Sequence, residues 1–399
     1  MSGTDRDPEV EAEADLDAET EATAEGGDEP LLAVEGLRTT FETDAGTLVA
    51  VDGIDFTVSE GETVCLVGES GSGKTVATES ITRLVDSPPG HIEGRVRFRG
   101  HDLLAMDAEA IRSVRGPGIA HVFQNPQDAL NHCYTVGWQI VEAIRVHEDV
   151  SEAAARARAV ELLDRVGIAN PSARFDDYPH EFSGGQKQRV MIAVALAGDP
   201  DLLVADEPTT ALDVTVQARI LELLSELQAE FGMGVLFVTH DLGVVAEIAD
   251  RVVVMYAGKV MERGSVLDVF ERPSHPYTRA LLSCLPGRGN EVTGIEGSLP
   301  DPTAPPEGCR FAPRCEHAIG ACRRGEQPPE TELTEGHGVS CVFYRDGRDP
   351  SVVRGNGNGN GSGDGSDAET KRRDASRNGS RSADASTPGT GGAEGSDGG

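Results

Sequence analysis

A glycine-rich run has the composition of a phosphate-binding loop. It follows an apolar stretch at residues 64–67, leads into a helical pattern, and consists of Gly68, Glu69, Ser70, Gly71, Ser72, Gly73, Lys74 and Thr75. Glycines let backbone N–H groups turn toward phosphates, the lysine reaches the β- and γ-phosphates, and the threonine hydroxyl can ligate Mg²⁺. The pattern therefore predicts that the chain binds a nucleoside triphosphate.

A pair of acids follows a second apolar stretch. Asp206 and Glu207 come directly after residues 202–205, which are typical of a buried strand. Two carboxylates at a strand end suit magnesium-assisted phosphoryl chemistry. We interpret Asp206 as the acid on the metal side and Glu207 as the general base that polarises the attacking water.

A short polar turn precedes an apolar helical run at residues 190–196. It consists of Ser183, Gly184, Gly185 and Gln186. These residues predict another helix N-terminus suited to an anion, although the glycine-rich loop already accounts for the phosphates of one nucleotide. We therefore expect the turn to serve a second nucleotide.

Strands and helices must position these residues. Apolar runs predict strands at residues 64–67, 202–205 and 235–239, and the last of these ends at His240. The spacing also predicts a helix from about Glu152 to Val166, ended by Gly167. Together these elements indicate an α/β fold.

The ordered set of motifs resembles the ATP-binding subunit of an ABC transporter, over residues 31 to about 345. Residues 68–75 match its Walker A motif, residues 183–186 its signature, and residues 202–207 its Walker B motif. The resemblance also identifies Gln124 as the Q-loop glutamine, Asp213 as the D-loop aspartate and His240 as the switch histidine.

The resemblance implies roles for these residues. His240 would contact the γ-phosphate and the attacking water, and Gln124 would sense the metal that Thr75 and Asp206 also hold. Phe41 is the candidate for stacking on the adenine ring. The cofactors implied are ATP and Mg²⁺.

The resemblance also implies a head-to-tail dimer. In such a dimer the signature of one subunit closes over the Walker A loop of the other, and Asp213 lies at the contact. The chain has one Walker A motif and one signature, so its partner is another copy or a second, homologous ATPase subunit.

The C-terminal third resembles the extension of oligopeptide and dipeptide import ATPases, a group that includes nickel importers. The resemblance rests on residues 275–282, on Gly308-Cys309 and on Pro313-Arg314-Cys315, and it favours the first of the two ATPase subunits. It implies ATP-driven uptake of peptides, with two membrane permeases and an extracellular substrate-binding protein as partners. Nickel or a sugar as substrate, or a soluble ABC ATPase without a transport role, are the alternatives.

The expected organisation is an α/β P-loop cassette with a small extension and disordered ends. We place the cassette at residues 31–270, with a helical subdomain at about 125–183, and the Cys-containing extension at 271–345. Residues 1–30 carry twelve acidic side chains and one arginine, and residues 346–399 are rich in Gly, Ser, Asn and Asp. Both ends are therefore predicted to be disordered tails.

Four of the seven cysteines cluster in the extension, and they are Cys309, Cys315, Cys322 and Cys341. Four thiols in a reducing cytosol suggest a metal site. Their spacing lacks the paired knuckles typical of zinc, whereas a [4Fe-4S] cluster accepts wider spacing, and some members of the family carry such a cluster. A [4Fe-4S] cluster, zinc and unliganded thiols remain open.

The net charge of −33 does not come mainly from the tails. Together with four lysines against thirty-one arginines, it indicates adaptation to very high intracellular salt, that is, a halophile. An ordinary acidic protein with an arginine-rich codon bias is the alternative. No basic stripe is visible, which argues against nucleic acid as a partner.

No apolar run approaches the length needed to cross a bilayer, and the acidic N-terminus does not resemble a signal peptide. We expect a peripheral protein at the cytoplasmic face of the cell membrane.

Overall fold

The computed structural model describes residues 29–210, 212–285 and 294–354. The predicted tail at residues 1–30 lies almost entirely outside the described residues, as does the part of the C-terminal tail from residue 355.

The described part contains two sheets. The first is antiparallel, with the order β2-β1-β4-β5, and consists of β1 (Leu32–Thr43), β2 (Gly46–Val58), β4 (Gly90–Phe98) and β5 (His101–Asp102). The second has the order β11-β12-β10-β9-β3-β8-β7-β6 and consists of β3 (Thr63–Val67), β6 (Ile119–Val122), β7 (Leu202–Asp206), β8 (Gly234–Thr239), β9 (Arg251–Tyr256), β10 (Lys259–Ser265), β11 (Thr331–Thr334) and β12 (His337–Val339).

Five neighbouring strands of the larger sheet, β9-β3-β8-β7-β6, run parallel. Strands β3, β7 and β8 are buried along their whole length, as their continuous apolar sequences predict for parallel strands covered on both faces. Their carboxyl ends lie at one edge of the sheet, so the loops after β3, β7 and β8 meet there. The three predicted strands and the α/β class are confirmed.

Helices surround the sheet and connect its strands. They are α1 (Lys74–Ile81), α2 (Ala108–Val114), α3 (Pro126–Ala129), α4 (Val136–His147), α5 (Glu152–Arg165), α6 (Pro171–Arg174), α7 (Gly184–Ala195), α8 (Val214–Phe231), α9 (Leu242–Ile248), α10 (Val266–Glu271), α11 (Pro276–Ser283) and α12 (Ser351–Arg354). Helices α3 to α6 occupy the segment predicted as a helical subdomain.

Helix α5 follows its sequence signals closely. Ser151 caps it, since its hydroxyl accepts a hydrogen bond from the N–H of Ala154, and Gly167 adopts the left-handed φ of +75° just beyond its end. The predicted helix from about residue 152 to 166 is confirmed.

The C-terminal extension is part of the larger sheet. Strands β11 and β12 form a hairpin that pairs with β10 at the sheet edge. The buried Glu262 of β10 accepts hydrogen bonds from the backbone N–H groups of Ser274 and His275, both at 2.8 Å, and contacts the ring of His337 at 2.9 Å. A buried carboxylate with these partners joins the extension to the cassette.

The expected start of the C-terminal tail at residue 346 was too early. Residues 351–354 form α12, and Val353 is fully buried in a cluster with Val339, Cys341 and Phe343. Arg279 of α11 also donates a hydrogen bond to the carbonyl oxygen of Val353. Apolar burial therefore orders the chain beyond the predicted boundary.

Among the described residues, no helix combines the length and apolar character that a membrane crossing requires.

Candidate functional site

The phosphate-binding loop lies between β3 and α1 in the predicted conformation. Gly68, Gly71 and Gly73 have φ angles of +157°, +81° and +99°. A Cβ atom on Gly68 would lie 2.1 Å from the carbonyl oxygen of Met255, and one on Gly73 would lie 2.3 Å from that of Ala50. The glycines therefore allow both the turn and its close contact with β2 and β9.

Lys74 is nearly buried at the start of α1. Its ammonium donates hydrogen bonds to the carbonyl oxygens of Gly68 at 2.9 Å and Glu69 at 3.0 Å. Burial lowers the pKa of Lys74, and the charges of Glu207, Asp206 and Glu69 oppose that shift. The lysine charge is thus held at the loop by nearby acids.

The loop lines a cavity of about 560 Å³, a size suited to a nucleotide. Seven of the predicted site residues line it together, and they are Ser70, Gly71, Gly73, Lys74, Thr75, Gln124 and Glu207.

Asp206 lies deeper, at the end of β7. Burial raises the pKa of Asp206, an effect that a hydrogen bond from Thr75 opposes. Its Oδ1 atom is buried and has no hydrogen-bond partner among the described residues. A buried, unsatisfied carboxylate oxygen beside a threonine hydroxyl has the donor chemistry that Mg²⁺ prefers, so Asp206 and Thr75 fit the predicted metal.

Glu207 receives hydrogen bonds from three loops. Its Oε2 accepts from Gln124 Nε2 and from the Thr210 hydroxyl, both at 2.9 Å, and its Oε1 lies 3.1 Å from His240 Nδ1. Burial raises the pKa of Glu207, but the bonds from His240 and Thr210 and the Lys74 charge outweigh it, and the pKa falls below its usual value. The carboxylate is therefore ionised and fixed in place, as a general base requires.

Glu207 also has a left-handed backbone, with φ of +44°. Its N–H donates to the carbonyl oxygen of Val238 at 2.9 Å, which ties the residue to β8. The backbone strain is offset by this bond and by the three side-chain contacts.

The signature forms the N-terminus of α7, away from this cavity. The Ser183 hydroxyl accepts from the N–H of Gln186, and the Gln186 side chain accepts from the N–H of Ser183 at 3.0 Å, which makes a capping box. A Cβ atom on Gly185 would lie 2.6 Å from Val216 Cγ1, so the glycine permits close packing of α7 on α8. Asp213 caps α8, because its carboxylate accepts a hydrogen bond from the N–H of Val216, the residue that packs against Gly185.

Several predicted residues do not line the cavity. Phe41 pairs with Leu48 and Gly90 in the smaller sheet, and the side chain of Ser72 is buried. The Glu69 carboxylate accepts two hydrogen bonds from Arg314, at 2.9 and 3.0 Å. Glu69 therefore contributes its backbone to the loop, while its side chain joins the extension.

Other lining residues were not predicted from the sequence. They come from β2, from α1, from the turn after β9 and from the extension, and they are Leu48, Val49, Ala50, Val76, Ala257, Leu299, Pro300, Asp301, Pro302 and Arg310. None of these residues is itself a member of a phosphate or metal motif, so long-range contacts are needed to place them in the cavity.

The four clustered cysteines converge in the extension. They line one small, predominantly apolar cavity with His275 and Phe311. Burial raises the pKa of Cys309 to about 12 and that of Cys341 to about 11, so these thiols are protonated unless a cation is present. Within the described ranges, no group of three or more His, Cys, Asp or Glu side chains is arranged to hold a metal ion.

The fold and the cavity define a P-loop ATPase of the ATP-binding cassette type. The family profile described as "ABC transporter" matches residues 51–210, and the one described as "Oligopeptide/dipeptide transporter, C-terminal region" matches residues 261–322. The chain belongs to the ABC transporter family, as an ATP-binding subunit that hydrolyses ATP.

Relatives in Brucella abortus are similar over most of the chain. One, named "Putative peptide import ATP-binding protein", is 51% identical over 333 residues, which cover 80% of this chain and 98% of the relative. A second protein with the same description is 49% identical over 315 residues, covering 78% and 94%.

Solved structures of ATP-binding cassettes are similar to about three fifths of the chain. A dimeric, post-hydrolysis ATP-binding cassette with bound ADP and Pi has a TM-score of 0.53 at 28% identity, covering 59% of this chain and 98% of that one. A subunit of the cbiONQ ABC transporter complex from Clostridium perfringens also has a TM-score of 0.53, at 31% identity, covering 61% and 91%.

We expect Glu207→Gln to leave ATP binding intact and to stop turnover, because the amide cannot accept the proton of the attacking water. Loss of a general base lowers the rate by about 10²- to 10⁴-fold. Equilibrium binding of ATP and phosphate release from the assembled transporter would check this, and the variant should accumulate as an ATP-bound dimer. Turnover at the wild-type rate would remove Glu207 from the mechanism.

Proposed function

We propose that the chain is the ATP-hydrolysing subunit of an importer for dipeptides or oligopeptides. The observation that supports this most is the peptide-transporter extension, which matches residues 261–322 and is built into the same sheet as the ATP site. The names of the Brucella relatives point the same way. Nickel import and sugar import use related machinery, and the experiment below separates them.

In the proposed mechanism, Lys74 and the loop N–H groups bind the phosphates, while Thr75, Asp206 and Gln124 would hold Mg²⁺. The metal would neutralise charge that develops on the phosphates. Glu207 accepts a proton from water as the water attacks the γ-phosphorus and the bond to the bridging oxygen breaks, which leaves ADP and phosphate. His240 positions Glu207 and the water.

The signature would act on the ATP of a partner cassette. Ser183 and Gly184 lie exposed at the N-terminus of α7, and neither lines the cavity of its own chain. In a head-to-tail dimer, Ser183 and Gly185 would close over the partner's γ-phosphate, with Asp213 at the contact. The partner is a second, homologous ATPase subunit or another copy of the chain.

A groove beside the Q-loop fits a segment of a membrane subunit. It is lined by His121, Phe123 and Leu130 among others. Tyr134 and Trp138 stack nearby with their ring centroids 4.0 Å apart, and Phe123, Tyr134 and Trp138 are each about 40% exposed. Such an apolar surface favours docking to two permeases at the cytoplasmic face of the membrane. An extracellular binding protein would deliver the substrate to these permeases.

Reconstitution tests this proposal. The chain, its genomically neighbouring permeases and second ATPase would be purified together and placed in liposomes with the binding protein. We expect ATP hydrolysis to rise severalfold with a peptide-loaded binding protein, because substrate favours the closed dimer, and labelled peptide to enter the liposomes. Stimulation by nickel or a sugar would overturn the peptide assignment, and full activity of the soluble chain alone would indicate a non-transport ATPase.

We also propose that the four cysteines hold a [4Fe-4S] cluster that braces the extension. Cys309, Cys315, Cys322 and Cys341 line a single cavity, and four thiolates are the usual ligands of such a cluster. A four-iron cube separates its ligands further than one ion does, so the lack of a single-ion arrangement in the described ranges weighs against zinc more than against the cluster. The positive irons would offset the unfavourable burial of the thiolates.

Iron analysis tests the cluster. Protein purified without oxygen should contain about four irons per chain and absorb visible light through thiolate-to-iron charge transfer. Cys322→Ser should lower the iron content. Cys133→Ser should not, because Cys133 is exposed and distant in sequence from the four clustered cysteines. A colourless, iron-free and stable wild-type protein would contradict the proposal.

We further infer that the protein works in very high salt. The chain has sixty-eight acidic residues but only thirty-five lysines and arginines. Repulsion between like charges therefore dominates over the many surface ion pairs. Screening should relieve that repulsion. We expect the thermal unfolding midpoint to rise as KCl increases from about 0.1 to about 2 M, because the shorter Debye length weakens the repulsion. A midpoint that falls with salt would favour an ordinary acidic protein.

A further inference from the structure

We propose that residues 299–302 of the C-terminal extension form the wall of the ATP site that holds the nucleotide base. In this account the extension is part of the ATP site of its own chain. The inference concerns nucleotide binding, so it does not depend on which substrate is transported.

The cavity lining offers different chemistry to the phosphates and to the base of a nucleotide. The phosphates of a nucleotide belong at the glycines and Lys74, and the metal at Thr75. An aromatic base needs apolar contacts. The larger apolar side chains of the lining come from three places. Val76 directly follows Thr75, at the metal end, whereas the others are Leu48 and Val49 of β2 and Leu299, Pro300 and Pro302 of the extension.

The expected aromatic residue lies outside the cavity lining. Phe41, which the sequence suggests for stacking on the base, does not line the cavity. The apolar surface that remains for the base is shared between β2 and the extension.

The segment at residues 299–302 directly contacts both sides of the site. The carbonyl oxygen of Pro302 accepts a hydrogen bond from the N–H of Val49 at 3.0 Å. The Cδ1 atom of Leu299 lies 3.5 Å from the position of a Cβ on Gly71, at van der Waals distance from the phosphate loop. The segment therefore joins the β2 wall to the phosphate loop.

The segment also has its own internal support. The Asp301 carboxylate accepts hydrogen bonds from the N–H and the hydroxyl of Thr303, at 2.8 and 2.7 Å. The N–H of Ala304 donates to the carbonyl oxygen of Asp301 at 3.1 Å. These bonds stabilise the turn, so the wall is formed before a ligand binds.

Arg314 attaches the segment to the phosphate loop. Its guanidinium is nearly buried, donates to the carbonyl oxygens of Ile295 and Glu296 at 2.9 and 2.8 Å, and pairs with the Glu69 carboxylate. The Tyr277 hydroxyl accepts a further bond from the N–H of Glu69 at 3.0 Å. Arg314 therefore holds both the phosphate loop and the segment that leads to the wall.

The test compares ligands with and without a base. Binding of MgATP and of inorganic tripolyphosphate to the full chain would be measured by calorimetry for wild type and Leu299→Ala. We expect the Kd for MgATP to rise about three- to tenfold, since apolar contact with the base is lost, and the Kd for tripolyphosphate to change less than about twofold.

Three further variants make the result specific. Leu299→Met conserves volume and should bind MgATP like wild type, while Pro300→Ala should weaken MgATP selectively, as Leu299→Ala does. Leu333→Ala removes a leucine of similar, partial burial from β11 of the extension, outside the cavity, and should change neither affinity. Equal weakening of both ligands, or an unchanged Kd for MgATP in both Leu299→Ala and Pro300→Ala, would overturn the proposal.

Discussion

The ATP site depends on keeping one carboxylate ionised and fixed beside a phosphate-binding loop, although it is largely buried. Glu207 stays ionised because Gln124, Thr210 and His240 donate to it and Lys74 lies nearby. These residues follow different strands of a parallel sheet, whose carboxyl ends meet at one edge. Three features hold these residues in place. They are the strands buried on both faces, the close glycine contacts and the left-handed backbone at Glu207.

The extension adds a second support to the same site. Arg314 and Tyr277 hold Glu69 of the phosphate loop by its side chain and its backbone, and Arg314 directly precedes Cys315 in the sequence. In our account, the cysteine cavity, the phosphate loop and the base-side wall form one connected unit. A transporter-specific extension would thereby influence how its own chain binds ATP.

The sequence predicts what local patterns encode. Buried strands, the helix beginning at Glu152 and the conformation of the phosphate loop follow from apolar runs, a serine cap and glycines, and the structure has them at the predicted positions. The pairing of Glu69 with Arg314 joins residues 245 positions apart, and no local pattern signals it. The same reason explains the unforeseen wall at residues 299–302 and the late boundary at Val353, since both arise from tertiary packing.

In the proposed mechanism, His240 assists hydrolysis mainly by positioning Glu207, whose Oε1 lies 3.1 Å from its Nδ1. A double-mutant cycle of His240→Ala and Glu207→Gln, read as single-turnover ATP hydrolysis by the assembled transporter, would show whether the two residues act together. When two groups act as a unit, the effects of mutating each of them on the rate are strongly non-additive. We expect His240→Ala to slow the wild type markedly but to have little further effect in the Glu207→Gln background. Rate losses that multiply would show that the two residues act independently.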